Sequence, residues 1–128
     1  MSIITSSTMH DCKVSAHGNM SVAMADITLN RAGEMDVVEL LNVPVGTKLV
    51  GMRVMTEGLG EAVSLDIHVG DTMLATDIPV SEQCQTMLPL MPVILEHSET
   101  LAVTIKGGIA TGRLIVMPEY LSVGYMGQ

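Results

Sequence analysis

Aromatic side chains are almost missing from this sequence. It contains no Phe and no Trp, and its two tyrosines, Tyr120 and Tyr125, both lie near the C-terminus. Sites that bind sugars or stack nucleobases generally use aromatic platforms, so the composition disfavours both kinds of site. Methionine, which occurs 12 times, takes over the gap filling that aromatic side chains usually perform in a protein core.

Basic residues are also scarce. Six Lys and Arg stand against 14 Asp and Glu, which gives a net charge of -8, and the basic positions are scattered along the chain. Binding to nucleic acid requires a clustered basic face, so we expect no nucleic-acid partner. The acidic balance instead favours solubility, or a partner protein with a basic surface.

Long apolar runs do not occur. No run approaches the ~18 residues that are needed to cross a bilayer, and residues 1–15 lack the basic start and the apolar block of a signal peptide. We therefore expect no membrane segment and a protein that is made in a cytosol. The hydrophobic fraction is nevertheless 48% and the mean hydropathy is +0.44, which predicts a subunit interface that buries apolar surface.

Residues that bind metals are few and dispersed. His10, Cys12 and His17 lie close together in sequence, but their spacing matches no common zinc finger. The other cysteine, Cys84, is distant, and in a reducing compartment we expect both cysteines to be small, largely buried hydrophobes without a disulfide.

A second group, Asp66, His68 and Asp71, lies near the end of a predicted strand. Asp66 and His68 share the outward side of that strand, which is typical of a solvated face. We therefore predict no metal site and no cofactor.

No arrangement typical of an enzyme occurs. The sequence lacks the GxSxG motif, and the glycines of "EGLGEA" and "KGGIATG" have no strand-to-helix context for a phosphate loop. The four histidines are dispersed, unlike the clustered His and Glu of cupin-type enzymes. We therefore predict no catalytic residues.

Alternating apolar residues predict strands along most of the chain. The clearest pattern is "VSLDIHV", in which Val63, Leu65, Ile67 and Val69 share one side. About seven or eight short strands with frequent turns predict an all-β fold, an antiparallel β-sandwich that is jelly-roll-like. A helix over "AGEMDVVELLN" is the best helical alternative.

Several strands have predicted details. In "KLVGMRVMT", Val50, Met52 and Val54 should face inward. Pro79, Pro89 and Pro92 exclude a central strand in the middle of the chain, so we expect an edge strand or excursion there. The prediction places that piece at Gln85 to Leu90 and a short extended piece at Val93 to Leu95. The segment "LAVTIKGGIATGRLIVM" should form a hairpin that turns at Gly107-Gly108 and closes the domain.

The two ends of the chain are weakly patterned. Residues 1–19 are predicted to form an extended N-terminal arm that binds a neighbouring chain, or an extra strand of their own sandwich, and residues 20–128 form the sandwich domain. Candidate contacts of the arm with a neighbouring chain are Ile3, Ile4, Met9 and Val14. Candidate anchors of an oligomer interface are Tyr120, Tyr125 and Met126.

Three segments carry a resemblance to a known group: "ADITLNRAGEMDVVELLNVPVGTKLVGMRVMTE", "AVSLDIHVGD" and "LAVTIKGGIATGRLIVMPEY". Their order resembles that of small virion proteins of tailed bacteriophages, of the head decoration or capsid-cementing type. The resemblance implies a protein of the capsid exterior that is made in the host bacterial cytoplasm. It also implies the major capsid protein as partner and self-association, commonly as a homotrimer. A minor tail- or vertex-associated receptor-binding module is the alternative.

Overall fold

Alternating apolar residues mark the inward side of most strands of the fold. The computed structural model describes residues 2–9 and 20–122. These ranges contain strands and no helix. The strands are β1 (Ile3–Thr5), β2 (Met20–Val22), β3 (Ala25–Ala32), β4 (Val37–Val43), β5 (Thr47–Thr56), β6 (Ser64–Val69), β7 (Thr72–Pro79), β8 (Cys84–Ile94), β9 (Glu99–Lys106) and β10 (Ala110–Ser122).

Two five-stranded sheets pack face to face as a sandwich. The first sheet has the strand order β1-β4-β9-β6-β7. The second has the order β2-β10-β5-β8, and β3 pairs with β10 on the same side as β2. Strand β1 runs parallel to β4, and every other pairing among the described strands is antiparallel. The predicted all-β antiparallel sandwich is confirmed.

The predicted hairpin at Gly107-Gly108 is wrong. Strand β9 lies in the first sheet between β4 and β6, whereas β10 lies in the second sheet between β5 and β3. The two glycines therefore carry the chain across the sandwich. Period-two alternation marks the inward side of each strand, but it does not say whether two successive strands pair or face each other.

Two regions settle alternatives that the sequence left open. The segment "AGEMDVVELLN" contains most of β4, so the helical alternative is wrong, and a bulge at Leu40 lets Leu40 and Leu41 both take buried positions. The proline-rich middle forms one long strand, β8, at the edge of the second sheet. An edge position tolerates the missing N–H groups of Pro89 and Pro92.

The predicted inward position of Val50 is wrong, because a bulge interrupts β5. Leu49 pairs with Tyr120 and Gly51 pairs with Glu119, so Val50 is an extra residue between them. The bulge shifts the alternation by one residue, and Leu49 takes the fully buried position while Val50 is half-buried.

The core lies between the two sheets. Its largest fully buried side chains come from both inner faces: Leu29, Leu40, Leu41, Leu49, Met52, Leu59, Leu65, Ile67, Leu101, Ile105 and Leu114. Among the described residues no buried side-chain polar atom lacks a hydrogen bond. The inner faces are therefore filled by the chain itself, and any site must lie on an outer face, an edge or a loop.

Candidate assembly surface

The centre of the outer face of the first sheet, on β9 and β6, is polar, whereas Ile3 on β1 and Met73 on β7 are exposed apolar side chains at its two edges. Lys106 on β9 lies between two carboxylates, with Nζ 3.2 Å from Oδ2 of Asp66 and 2.6 Å from Oδ1 of Asp77. Hydrogen bonds to Asp77 and Asp66 raise the pKa of Lys106 above its usual value. Beside them, the Thr104 hydroxyl and Nε2 of His68 lie 3.3 Å apart. These side chains satisfy one another, as is typical of a face that contacts solvent.

This network includes two of the three residues considered above as a possible metal site, Asp66, His68 and Asp71. Asp66 accepts hydrogen bonds from Lys106 and from the backbone N–H of Asp77, and His68 contacts Thr104. Within the described ranges no group of three or more His, Cys, Asp or Glu is arranged to hold a metal ion. His10, Cys12 and His17 lie outside the described residues.

The outer face of the second sheet is apolar instead. On β10, Leu114, Val116 and Tyr120 point into the core, so Ile115, Met117 and Leu121 point outward. Neighbouring strands add further outward apolar side chains through their register with β10 and β5. We call this set the apolar face: Met20, Val22, Met55, Met87, Ile94, Ile115, Met117 and Leu121.

Exposure on the apolar face is greatest at its two margins. On β2, Met20 is 62% exposed and Val22 is also exposed. On β8, at the opposite edge of the sheet, Met87 is 64% exposed and Ile94 is exposed as well. The side chains between them, on β10 and β5, are half-buried. The face therefore has a half-buried centre and two separate, solvent-exposed apolar borders.

A second bulge widens the β8 border. Leu49 pairs with Val93 and Gly51 pairs with Pro89, so three residues of β8, at 90–92, lie opposite the single residue Val50. Met91 stands in this bulge and is 86% exposed. Because prolines and bulges prevent another strand from extending a sheet, this edge offers side chains rather than backbone groups to a partner.

Two ion pairs neutralise charges on the same face. Arg53 lies 3.6 Å from Glu119. Arg113 donates hydrogen bonds of 2.9 and 2.6 Å to the two carboxylate oxygens of Asp26. The hydrogen bond from Arg113 holds the pKa of Asp26 below its usual value, and the same contact raises the pKa of Arg113.

Charge is distributed unevenly over the molecule. The strands of the second sheet carry four basic residues, Arg31, Lys48, Arg53 and Arg113, and the acidic residues Asp26 and Glu119. The other described acidic residues lie on the first sheet and in loops, where Lys106 is the one described basic side chain. The acidic character of the chain is thus concentrated away from the apolar face.

The loops illustrate this most clearly. Every charged residue in the described loops is acidic, and these residues are Glu34, Asp36, Glu57, Glu61, Asp71, Glu82 and Glu96. Like charges repel, so two copies of the chain would meet least favourably through their loop ends.

The predicted arm residues occupy different environments. Ile3 is exposed on β1, while the Ile4 side chain packs against the core. The carbonyl oxygen of Met9 accepts a 2.6 Å hydrogen bond from the N–H of Asn42. Residues 3–5 thus form a strand beside β4 of the same chain, which corresponds to the second of the two alternatives for this segment. Val14 lies outside the described residues.

The predicted interface anchors are only partly described. Tyr120 is 3% exposed and belongs to the hydrophobic core, so its side chain offers little surface to a neighbouring subunit. Tyr125 and Met126 lie outside the described residues.

Sequence reasoning missed the apolar face, although a signal for it was present. In the run Leu114-Ile115-Val116-Met117 both the odd-numbered and the even-numbered positions are apolar, so both sides of the strand are apolar. This is typical of a strand that is covered on both faces.

The described residues include no helix long and apolar enough to cross a membrane. No protein-family model matches the chain, and no curated protein matches it in sequence.

Three capsid structures contain chains of the same fold. A chain in the capsid of Ralstonia phage GP4 superposes with a TM-score of 0.68 at 18% identity, over 94% of this chain and 97% of that one. A chain in the capsid asymmetric unit of cyanophage Pam1 has a TM-score of 0.61 at 18% identity, over 85% and 89% of the two chains. A chain in the acid-stable capsid of Helicobacter pylori bacteriophage KHP30 has a TM-score of 0.57 at 14% identity, over 85% and 92%. At these identities the likeness shows a shared sandwich fold that extends over nearly the whole of each chain.

Proposed function

We propose that this chain is a structural protein of a tailed-phage head, which binds the outer surface of the capsid and stabilises it. The observation that carries the proposal is the nearly end-to-end match with a chain of the GP4 capsid, at 94% and 97% coverage. The matched chain of the GP4 capsid is itself small, since this chain covers 97% of it. The partner of the chain is the major capsid protein.

The two outer faces support a role in assembly. A monomeric protein seldom exposes a large contiguous apolar patch without a partner that covers it. Here the polar centre of the first sheet is suited to solvent, whereas the apolar face of the second sheet is suited to contact with protein. The inward-facing side chains fill the sandwich, so its function is carried by surfaces.

The physical task of such a protein is to make separation of capsid subunits unfavourable. It does so by binding across subunit boundaries, because only then does separating the shell also break its own contacts. A closed sandwich suits this task, since its ladders of backbone hydrogen bonds resist deformation. Several copies that bind together hold the shell with an avidity well above that of one contact.

Residues 1–19 form the attachment arm in this proposal, with Ile3, Ile4, Met9 and Val14 as contacts. An arm can add a strand to the open edge of a neighbour, and each backbone hydrogen bond then contributes about 0.5–1.5 kcal/mol. Strand β1 is only three residues long and lies at the edge of the first sheet. Few contacts with β4 therefore have to break before β1 can leave its own chain and pair with a neighbour. The copies associate as a homotrimer, with Tyr125 and Met126 near the shared axis.

The test uses heads of the encoding phage that were assembled without this chain. Purified chain should cosediment with such heads and raise the temperature at which they release DNA. The variant lacking residues 1–19 should remain folded by circular dichroism yet fail to stabilise heads. Full stabilisation by that variant would refute the arm, and failure of the intact chain to bind heads would refute the function.

Copy number separates this function from the alternative of a tail- or vertex-associated receptor-binding module. A decoration protein should be present in purified virions in amounts comparable to the major capsid protein. A tail or vertex protein would be present in far fewer copies. Quantitative mass spectrometry of virions measures the ratio directly.

A further inference from the structure

We propose that the apolar face is a self-association surface, in which the β8 margin of one copy contacts the β2 margin of the next. The β8 margin consists of Met87, Met91 and Ile94, and the β2 margin consists of Met20 and Val22. The proposed function assumes that copies of the chain associate, and the two margins are the surfaces through which they do so.

The absence of charge on the two margins makes them suited to a second acidic copy. The chain has a net charge of -8, so two copies repel each other over most of their surfaces. Strand β8 contains no charged residue over its 11 positions, and β2 contains none over its three. These strands therefore let two acidic copies approach without bringing carboxylates together.

Exposure points to the same two strands. Three of the most exposed apolar side chains among the described residues are Met91, Met87 and Met20, and all belong to the two margins. Flexible thioether side chains fill irregular gaps, so they suit a contact between two surfaces that are not flat. The bulge that carries Met91 gives the β8 margin a projecting shape.

The arrangement of the margins decides the kind of contact. A two-fold contact uses one self-complementary patch, whereas a ring uses two different patches on each copy. Here the two exposed margins lie at opposite edges of one sheet, separated by half-buried side chains and by the Arg53–Glu119 pair. Each copy can therefore contact two neighbours, one through each margin, and its face then points toward the shared axis.

The prolines of β8 restrict how this contact forms. Pro89 and Pro92 have no N–H to donate, and the bulge between them interrupts the ladder of β8. The second sheet consequently does not continue as a β-sheet from one copy into the next. Side chains of the margins make the contact, so single side-chain substitutions should weaken it strongly.

The test measures oligomeric state by sedimentation equilibrium with the full chain. The variants are Met87→Glu on the β8 margin and Met20→Glu on the β2 margin. The matched control is Met35→Glu, because Met35 is also exposed but lies in the turn before β4. Circular dichroism verifies that each variant is folded. The wild-type chain and the control should form the same oligomer at micromolar concentration, whereas both margin variants should associate at least ~10-fold more weakly, or about 1.4 kcal/mol.

Mixing the two margin variants tests the geometry. The intact β8 margin of Met20→Glu can bind the intact β2 margin of Met87→Glu, but the remaining margins of that pair both carry the new charge. The mixture should therefore form a one-to-one pair that does not close. Two-fold contacts would give no pair, and that result would overturn the inference.

Other outcomes are equally decisive. A monomeric wild-type chain, or margin variants that associate normally, would overturn the inference. Loss of association in Met35→Glu would also overturn it. Binding to heads is measured separately: a monomeric chain that still stabilises heads would refute this inference alone. A margin-dependent oligomer that never binds heads would refute only the proposed function.

Discussion

Arg53 on β5 and Glu119 on β10 form an ion pair in the middle of the apolar face, with Nη2 of the guanidinium 3.6 Å from Oε2 of the carboxylate. The carboxylate lies over Gly51, where a side chain would place its Cβ 2.7 Å from Oε1 of Glu119. The missing side chain of Gly51 thus leaves room for Glu119 to reach Arg53. The pair puts two charges, neutralised by each other, near the centre of the apolar face, which also carries the Arg113–Asp26 pair and Lys48.

This pair should matter more for association than for folding. In the isolated chain, Glu119→Gln should lower the free energy of unfolding by less than about 1 kcal/mol, because Arg53 is 46% exposed and well solvated. In the proposed oligomer the face points toward the shared axis, where Arg53 loses solvent, so Glu119→Gln leaves it without a partner and association should weaken by considerably more. Urea denaturation and sedimentation equilibrium measure the two effects.

The matched control for this prediction removes both charges. The double variant Arg53→Met and Glu119→Leu replaces the pair with apolar side chains and should associate at least as well as the wild type. Equal association of Glu119→Gln and the double variant would contradict the prediction, since it would mean that Arg53 remains solvated in the oligomer.

The turn between β9 and β10 should be intolerant of a side chain. Gly107 has φ 85°, and a Cβ there would collide with the carbonyl oxygen of Ala62 in the β5–β6 loop. Gly107→Ala should therefore destabilise the fold by about 1–3 kcal/mol, through backbone strain and displacement of that loop. Gly33→Ala is the control, since the nearest atom to its new Cβ is Oδ2 of Asp36, at 3.5 Å. Comparable unfolding midpoints for the two variants in urea would contradict this explanation.

Strand positions were largely predictable because burial follows the period of two. The inward set on β6 is as expected, and Pro89 and Pro92 correctly indicated an edge strand. Pairing partners were harder to predict. The alternation of "LAVTIK" is the same whether β9 pairs with β10 or lies opposite it, so the sequence favoured a hairpin that does not form.

The candidate surface was less predictable than the fold. High apolar content indicated a hidden interface, but it did not locate one. Met87 and Met20 are far apart in sequence and share a face only because β10 and β5 lie between their strands. The bulge at Val50 likewise depends on the register of β5 with β10, which a single strand does not reveal. Surfaces that form across strands therefore need the tertiary structure.

Acid should release β1 from the first sheet. The carboxylate of Asp36 accepts hydrogen bonds from the N–H of Ser2, at 2.9 Å, and from the N–H of Gly33, at 2.8 Å. These bonds lower the pKa of Asp36 below the usual value of an aspartate side chain. A group whose pKa is lowered by folding contributes stability above its unfolded pKa, and that contribution is lost as the pH falls through the folded pKa.

We therefore expect β1 to be protected at neutral pH and to loosen below about pH 4. Amide hydrogen exchange should show this at the Val37 N–H, which donates to the carbonyl of Ser2, and at the Ser6 N–H, which donates to the carbonyl of Glu39. Rates are compared after correction for intrinsic exchange at each pH. Asp36→Ala should reproduce the loosening at neutral pH, whereas Asp71→Ala, in an exposed turn, should not. Unchanged protection of these amides in acid would show that Asp36 does not hold the strand.

Adjacent residues of β10 should separate folding from assembly. Leu114 is fully buried between the sheets, so Leu114→Ala should cost about 2–5 kcal/mol of unfolding free energy. Ile115 points to the apolar face and is half-buried, so Ile115→Ala should cost only about 1 kcal/mol in the isolated chain. Because that side chain belongs to the proposed contact surface, Ile115→Ala should still reduce self-association and cosedimentation with heads. The reverse pattern, a large loss of stability in Ile115→Ala with normal association, would mean that the outer face of β10 serves the fold of its own chain rather than contact with another.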